Sequence, residues 1–474
     1  MPRLGQGCGH GPVPGQLRGD KALEAYIFLH RGMNFILRIS PIFLRPSRSS
    51  PSMTIGEYTR EIVHIGVAGH GRVGQPTALV SGDRGPALPP NPREQRSVDV
   101  EGDHGEAVLA ALQNAKTNLT QPTLICCRTQ IGFGSPNKAG TAASHGAPLG
   151  VEEVQATRNQ LGWSFEPFEI PQALLADWNC VDQGQLLEAR WNDQFSAYQA
   201  QFPVLAKEYK RRLAGELPSD WTEQMGDLLE QTQAAANSTA SRSASGQTIG
   251  WLSALLPELI GGSADLSGSN NTIWPQAKPV SASEGGNYIY YGVREFGMTA
   301  IANGMALHGG LIPFTGTFLM FMEYARNAVR MSALMGLRNI HVYSHDSIGQ
   351  GEDGPTHQPV EQLTSLRTTP GMNVWRPCDA VETVAAWRSA IENSSGPSAL
   401  VLSRQTLAHQ QRSPAQLADV KRGGYILVEP DQVPQALILA TGSEVEICRN
   451  AAHSLAELGI PTRLVSLPCA EIFA

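Results

Sequence analysis

Short apolar runs of strand length alternate with longer stretches of helical apolar spacing after residue 98 of the chain. The strand-like runs cover residues 122–128, 288–293, 339–344, 398–403, 435–440 and 462–467. The helical stretches cover residues 150–161, 171–235, 295–307, 318–337 and 443–458. This alternation predicts an α/β fold class, with doubly wound parallel sheets in successive domains.

Composition divides the chain further. Residues 1–98 hold twelve basic and six acidic residues, are dense in glycine and proline, and show little periodic patterning. They are predicted to be a disordered tail, a transit-like sequence, or coding sequence read in a disturbed frame, and we favour the last. Residues 234–247 are rich in alanine, serine and threonine, which predicts a linker. The βαβ unit at 435–467 cannot cover both faces of a sheet, so the last domain is expected to be truncated.

Net charge is −7, which gives no reason to expect a nucleic-acid or membrane-surface role. No apolar run approaches the ~20 residues that a membrane-spanning helix needs. The seven cysteines are scattered without a C-x-x-C pair. That pattern favours reduced thiols, and with them a cytoplasmic protein without a zinc site.

Three segments could carry chemistry. The loop 131–146 is either a flexible surface loop or a ligand loop after a strand. Glu295 begins a predicted helix, where a carboxylate is either a dipole partner or a proton-sharing group with a raised pKa. Residues 345–357 crowd two histidines and three acids into a glycine-rich loop. That loop fits no metal-binding template, so polar substrate recognition or plain solvation are the readings left open.

The motifs in these segments, taken together and in order, resemble the transketolase family. They are GFGSPNKAGT at 132–141, SHGAPLG at 144–150, GGSADL at 261–266, GVREFGM at 292–298, FLMF at 318–321, YARNAVR at 324–330 and the whole of 345–357. The resemblance covers about residues 99–474 and is closest to the bacterial type. It implies the thiamine-diphosphate-binding fold and the domains that follow. These are a remnant of the diphosphate-binding domain with a helical connection at 99–235, a pyrimidine-binding domain at 236–425, and the start of a C-terminal domain at 426–474.

The resemblance also implies a role for single residues. Glu295 matches the catalytic glutamate that hydrogen-bonds the aminopyrimidine ring of thiamine diphosphate, and Phe321 matches the aromatic that stacks on that ring. His145 matches a catalytic histidine between cofactor and substrate. The residues that match sugar-phosphate ligands are Arg242, Ser269, His345 and Arg404, and those that match readers of the sugar hydroxyls are Asp353 and His357.

The implied reaction moves a two-carbon ketol unit from a ketose phosphate to an aldose phosphate, as between xylulose 5-phosphate and ribose 5-phosphate in the pentose phosphate pathway. The family is homodimeric, with each site between two subunits. 1-Deoxyxylulose-5-phosphate synthase and dihydroxyacetone synthase are the nearest competitors. Arg242, Ser269 and Arg404, with the complete 345–357 loop, favour transketolase over both.

The chain departs from the family where Mg²⁺ would anchor the cofactor's diphosphate. The family uses a Gly-Asp-Gly motif and a later asparagine, and the nearest approach is SGDRG at 81–85. We therefore expect thiamine diphosphate and Mg²⁺ as cofactors from the resemblance, but assign no metal ligand. The alternative hypothesis is a catalytically inactive fragment that retains the fold and the dimer surface.

Overall fold

The computed structural model describes residues 96–117, 123–281 and 284–473, together with the backbone of 65–70. These residues form two units with separate sheets. The N-terminal unit comprises the described residues up to Lys210 together with Ser281–Gly285, and the C-terminal unit comprises Arg211–Val280 and the residues from Gly286 onward.

The N-terminal unit has a parallel sheet in the order β1-β3-β2. Its strands are β1 (Ile65–His70), β2 (Arg96–Glu101) and β3 (Thr123–Arg128), and its helices are α1 (Gly105–Thr117), α2 (Val151–Gln160), α3 (Gln172–Trp178), α4 (Val181–Gln201) and α5 (Pro203–Leu213), whose end continues into the C-terminal unit. Ile125 and Cys127 of β3 pack against Ala111 and Ala115 of α1. Among the described residues of this unit, the apolar core is therefore small.

The C-terminal unit is built on six parallel strands in the order β6-β5-β7-β8-β10-β9. These are β5 (Leu259–Ser263), β6 (Tyr288–Tyr290), β7 (Ile312–Phe318), β8 (Ile340–Ser344), β9 (Asn373–Trp375) and β10 (Ser398–Leu402). Two short strands, β4 (Thr239–Ala240) before them in the chain and β11 (Thr406–Leu407) after them, pair with each other as a separate antiparallel sheet. The helices are α6 (Trp221–Ala235), α7 (Ser241–Leu255), α8 (Ser267–Asn270), α9 (Glu295–His308), α10 (Met322–Leu334), α11 (Gln362–Arg367), α12 (Ala380–Glu392) and α13 (Pro414–Asp419).

Helices cover both faces of this sheet. Ile249 of α7 and Trp387 of α12 belong to the apolar cluster on one face, and Met322 and Val329 of α10 belong to the cluster on the other. Strands β7, β8 and β10 are buried at every residue, as expected for parallel strands that have helices packed on both faces of the sheet. The predicted α/β class with doubly wound parallel strands is confirmed for this unit.

The last fifty residues of the C-terminal unit add a smaller sheet. It contains β12 (Tyr425–Val428), β13 (Ala436–Ala440) and β14 (Thr462–Ser466) in the order β12-β14-β13, with helices α14 (Glu444–Glu457) and α15 (Ala470–Phe473). β13 and β14 are parallel around α14, which confirms the predicted βαβ unit, and β12 pairs antiparallel with β14. On β13, Leu437 and Leu439 are exposed, so one side of that strand remains uncovered within the described residues.

The predicted linker at 234–247 is wrong. Its second half is the start of α7, where Ser241, Ala244 and Ser245 are buried. The indole nitrogen of Trp387 donates to the Ser245 hydroxyl at 2.8 Å, so a small residue is needed for the close approach of α12. Small side chains indicate tight helix packing here rather than flexibility.

Strands β5 and β7, in the interior of the main sheet, are not predicted by the sequence pattern. β5 contains Gly261 and Gly262, which lack strand propensity. A Cβ on Gly261 would lie 1.8 Å from the Phe314 ring, so only glycine fits beneath that ring. Phe318 was assigned to a helix spanning 318–337, but it ends β7, and α10 begins only at Met322. The predicted strand 288–293 is shorter than expected because Gly292 has a φ of +66°.

No helix within the described residues is both long and apolar enough to cross a membrane. The six cysteines of the described residues are all free thiols, which confirms the prediction for them. Cys8 and the SGDRG segment at 81–85 lie outside the described residues.

Candidate functional site

Most of the predicted site residues leave the main sheet of the C-terminal unit at one edge. Glu295 follows β6, Ser269 follows β5, and Phe321 follows β7. His345 follows β8 directly, and Arg404 follows β10. All these strands are parallel, so their carboxyl ends meet at the edge where α/β proteins bind ligands.

His345 is the most constrained of these residues. Its backbone has a φ of +61°, an unusual value for a side chain of this size, and its side chain is buried. The imidazole stacks on Phe318 with ring centroids 3.7 Å apart. Burial is the largest cause that lowers the pKa of His345 to about 4; Arg242, Arg404 and His357 lower it further, and Asp353 opposes them. His345 is therefore neutral at neutral pH.

A chain of hydrogen bonds orients the His345 ring. The Ser263 hydroxyl donates to Oδ1 of Asn270 at 3.0 Å, and Nδ2 of Asn270 donates to the Ser344 hydroxyl at 2.7 Å. The Ser344 oxygen lies 2.9 Å from Nδ1 of His345. Because Ser344 accepts from Asn270, its own proton is available for Nδ1. That arrangement favours the neutral tautomer with the proton on Nε2, a hydrogen-bond donor for a ligand.

Two arginines lie close enough to His345 to lower its pKa. Nη1 of Arg242 donates to the Ser269 carbonyl at 2.7 Å, while its buried Nε has no hydrogen-bond partner within the described residues. Burial lowers the pKa of Arg242, and the neighbouring charge of Arg404 adds to this. The Arg404 guanidinium lies against Gly351, 3.0 Å from where a Cβ would be. Two neighbouring guanidinium groups beside a donor nitrogen suit an anion such as a phosphate.

An aromatic surface adjoins His345. Phe318 and Phe321 are parallel, with ring centroids 5.6 Å apart. The His357 ring meets Phe321 edge-on at 5.1 Å, and its Nδ1 lies 2.9 Å from the Thr356 hydroxyl. Asp353 is exposed in the same loop. A flat aromatic next to a polar, partly open loop can hold a planar ring on one side and hydroxyl groups on the other.

Glu295 is the first residue of α9 and is buried, with 7 % of its surface exposed. Burial raises the pKa of its carboxyl, and a bond from the backbone N–H of the same residue opposes the rise. The raised pKa agrees in direction with the proton-sharing alternative for this residue, rather than with a carboxylate that serves only as a dipole partner.

His145 belongs to the N-terminal unit and lies exposed after the short turn Ala142–Ser144. Hydrogen bonds tie the loop before it to α2. The Glu153 carboxylate of α2 accepts hydrogen bonds from the Ser135 hydroxyl and from both N and Nδ2 of Asn137, the last two at 2.9 Å. These hydrogen bonds lower the pKa of Glu153 to about 2, and the bond from Ser135 has the largest effect.

The contacts described above join seven predicted residues into one group, which we call the anion cluster: Arg242, Ser269, Phe321, His345, Asp353, His357 and Arg404. Glu295 leaves the same edge of the sheet, but no hydrogen bond or ion pair among the described residues joins its carboxyl to this cluster. His145 lies in the other unit.

Sequence reasoning missed the residues that support this cluster. Asn270 and Ser344 orient His345, Phe318 stacks on it, and Glu153 holds the His145 loop. Phe318 and Asn270 stand within or beside quoted motifs, but nothing in the spacing of those motifs indicated a supporting role.

Among the described residues, no group of three or more histidine, cysteine, aspartate or glutamate side chains could hold a metal ion. The described residues therefore do not fit a Mg²⁺ site built from such side chains.

Three family models match successive parts of the chain. They describe the transketolase thiamine diphosphate binding domain at residues 95–218, the transketolase pyrimidine binding domain at 237–410, and the transketolase-like C-terminal domain at 423–474.

Individual proteins match over the same region. The chain is 56% identical over 375 residues to a protein named transketolase 2 from Vibrio vulnificus, and 52% identical over 375 residues to transketolase 1 from Escherichia coli K12. Each match covers 79% of this chain, but 56% and 57% of the relative. The chain thus spans little more than half the length of these relatives.

Solved structures agree with this assignment. A transketolase from Pichia stipitis in complex with sedoheptulose 7-phosphate superposes with a TM-score of 0.74 at 39% identity, covering 80% of this chain and 56% of that one. A transketolase from Leishmania mexicana gives a TM-score of 0.73 at 37% identity, with the same coverage of each chain. The fold is that of the thiamine-diphosphate-binding transketolases.

Proposed function

The chain belongs to the transketolase family, and we propose that it takes part in thiamine-diphosphate-dependent transfer of a two-carbon ketol unit from a ketose phosphate to an aldose phosphate. The observation that carries this proposal is the anion cluster, in which Arg242 and Arg404 lie near a neutral, buried His345. Xylulose 5-phosphate and ribose 5-phosphate are the proposed substrates, because both offer a phosphate to the arginines and hydroxyl groups to the loop.

The residues present fit the pyrimidine part of thiamine diphosphate. A buried carboxyl with a raised pKa, Glu295, can stay protonated and donate to a ring nitrogen, and Phe321 offers a flat apolar surface for stacking. When bound, the cofactor supplies the carbanion chemistry that breaks and forms the carbon–carbon bond. Glu295 would hold the proton that the pyrimidine needs, and Phe321 would orient the ring.

The anion cluster would hold the substrate. Arg242 and Arg404 would bind the phosphate, with the Ser269 carbonyl fixing the Arg242 fork. His345 would donate from Nε2, since Ser344 occupies Nδ1. Asp353 and His357 would read the sugar hydroxyls, and such a site rejects analogues that leave its polar groups unpaired.

The remaining roles come from family membership. We propose that His145 moves protons between cofactor and substrate, that the protein works as a cytoplasmic homodimer in the pentose phosphate pathway, and that the domains divide at 99–235, 236–425 and 426–474. Among the described residues, no group of three or more histidine, cysteine, aspartate or glutamate side chains could hold Mg²⁺, so no metal ligand is proposed.

Turnover of xylulose 5-phosphate with ribose 5-phosphate tests the proposal. The full chain is assayed with thiamine diphosphate and Mg²⁺, beside Glu295→Gln and the control Glu446→Gln, an exposed acid in the first turn of α14. Glu295→Gln should lower turnover at least ~100-fold, the effect of losing a general acid–base group. Glu446→Gln should not. Absence of turnover in the unmodified chain would favour the inactive-fragment alternative instead.

A further inference from the structure

A buried arginine joins the start of the substrate loop to the small C-terminal sheet. Nε and Nη2 of Arg376 donate to Oδ2 of Asp346 at 3.1 and 2.9 Å. On its other side, Nη2 donates to Oε1 of Glu444 at 3.0 Å, and Nη1 donates to Oε2 of Glu444. Nη1 also donates to the Thr441 carbonyl at 3.1 Å. The guanidinium therefore has one end on the 345–357 loop and the other on residues 441–444, which join β13 to the start of α14 and are called the C-terminal segment below.

Both the backbone and the side chain of Arg376 are held by the C-terminal part of the chain. Its backbone N–H donates to the Pro468 carbonyl at 2.8 Å, and the Thr441 hydroxyl donates to its carbonyl at 3.3 Å. Gly442 has a φ of +58°, and a Cβ there would lie 2.7 Å from Cγ of Arg376. The C-terminal segment is thus built around this one side chain.

Asp346 is the residue next to His345. Its side chain is 2 % exposed, and it forms an ion pair with Arg376. His345 itself has a left-handed backbone, a conformation that persists in a non-glycine residue only where the surroundings impose it. Fixing Asp346 therefore limits the backbone conformations open to His345.

We propose that Arg376 is a positioning residue, through which Glu444 of the C-terminal segment sets the geometry of His345 and hence the affinity of the anion cluster for sugar phosphates. The affinity part rests on the proposed function; the conformational part does not. Neither Arg376 nor Glu444 touches the substrate in this account.

The chain offers a matched pair of variants. Glu444→Ala removes a carboxylate from Arg376, and Glu444 is 47 % exposed, so the protein should tolerate its loss. Glu429→Ala removes a carboxylate from another two-bond pair on the same small sheet, with Arg463, in which Glu429 is 45 % exposed. Arg376→Lys keeps a buried charge for Asp346 but cannot reach both carboxylates with a fork of donors.

Amide exchange of the full chain, followed by mass spectrometry, tests the conformational part. In Glu444→Ala and Arg376→Lys, residues 345–353 should exchange about tenfold faster, as for one charge-assisted hydrogen bond lost, with β8 and β13 still protected. Glu444→Gln, which keeps an acceptor for Nη2, should recover part of the protection. Unchanged exchange at 345–353, or equal acceleration throughout the C-terminal unit or in Glu429→Ala, would overturn the proposal.

Calorimetry with ribose 5-phosphate tests the affinity part. Glu444→Ala should weaken binding about tenfold, in step with exchange, and Glu429→Ala should not. If the unmodified chain fails to bind ribose 5-phosphate, the proposed function fails at this site, while the exchange result still decides whether Arg376 positions the loop. Unchanged affinity in Glu444→Ala, with a binding wild type, would refute the affinity part.

Discussion

The loops that carry His345 and His145 are held in place by different means. His345 follows a strand that is buried at every residue, and a chain of buried hydrogen bonds through Asn270 and Ser344 orients its ring. His145 lies exposed, in a loop whose side-chain hydrogen bonds centre on the carboxylate of Glu153. The C-terminal unit thus fixes its site residues through its core, and the N-terminal unit through a local cluster of hydrogen bonds.

The contrast extends to whole elements. Helices α3 and α4 of the N-terminal unit have no buried residue, and Phe168 and Trp178 are exposed. In the C-terminal unit, α12 alone buries ten residues, among them the acidic residue Glu382. We infer that mutations in the C-terminal unit act through stability as well as chemistry, whereas mutations in the His145 loop act locally.

The largest expected effect is on the buried ion network of the C-terminal unit. Both Nη atoms of Arg412 donate to Asp379, at 2.7 and 3.1 Å, and its Nε donates to the Tyr425 hydroxyl. Arg412→Ala would leave Asp379 buried without its partner, at a cost of about 3–5 kcal/mol in the free energy of unfolding. Urea unfolding measures this loss of free energy, and amide exchange in β8 provides a second measurement of it. Arg463→Ala, in the exposed pair, should change little, and a similar loss in both variants would contradict the buried-network account.

A smaller loss is expected where the predicted linker proved to be a helix. Ala244 of α7 is 3 % exposed, whereas Ala234 near the end of α6 is exposed. Ala244→Leu should overpack the buried side of α7 and lower the free energy of unfolding by about 1–3 kcal/mol, and Ala234→Leu should not. Thermal unfolding of the two variants compares them directly. If Ala244→Leu were neutral, the tight packing of α7 would be in doubt.

In the N-terminal unit, the corresponding effect should stay within one loop. Glu153→Gln removes the acceptor charge that Ser135 and Asn137 share, so amides 132–145 should exchange faster at pH 7 while β3 does not. The folded pKa of about 2 lies below the ordinary glutamate value of about 4.3, so this contribution is complete above pH ~4.3 and is lost as pH falls toward 2. Faster exchange throughout the unit would mean that the loop is coupled to the core after all.

The smallest effect concerns the protonation of His345. Its folded pKa of about 4 lies below the ordinary value of about 6.5, so its contribution to stability is complete above pH ~6.5 and disappears as pH falls to about 4. Asp353→Asn should lower this pKa further, and Arg404→Ala should raise it. Carbon-13 NMR of labelled histidine rings measures both, with His345→Asn assigning the signal. A wild-type His345 that titrates near 6.5 would mean that the ring is not buried as described.

The sequence predicted much of the fold from periodicity, because β8, β10, α9 and α14 have the continuous apolar or helical patterns of their class. It failed at β5 and at α7, where glycine and serine are present for close packing against Phe314 and Trp387, partners distant in sequence. The site residues came from motif resemblance. Their supports, such as Asn270 and Arg376, depend on contacts across the fold that no local spacing reveals.

Calorimetric titration of the full chain with ribose 5-phosphate, without thiamine diphosphate, tests whether the anion cluster binds a sugar phosphate. The anion cluster lies wholly in the C-terminal unit, so the unmodified chain should bind the sugar phosphate. Arg404→Ala should weaken binding at least ~10-fold, because a charge-assisted hydrogen bond contributes about 1.5–3 kcal/mol. Binding that is absent in the wild type, or equal in Arg404→Ala, would mean that the anion cluster is not a sugar-phosphate site.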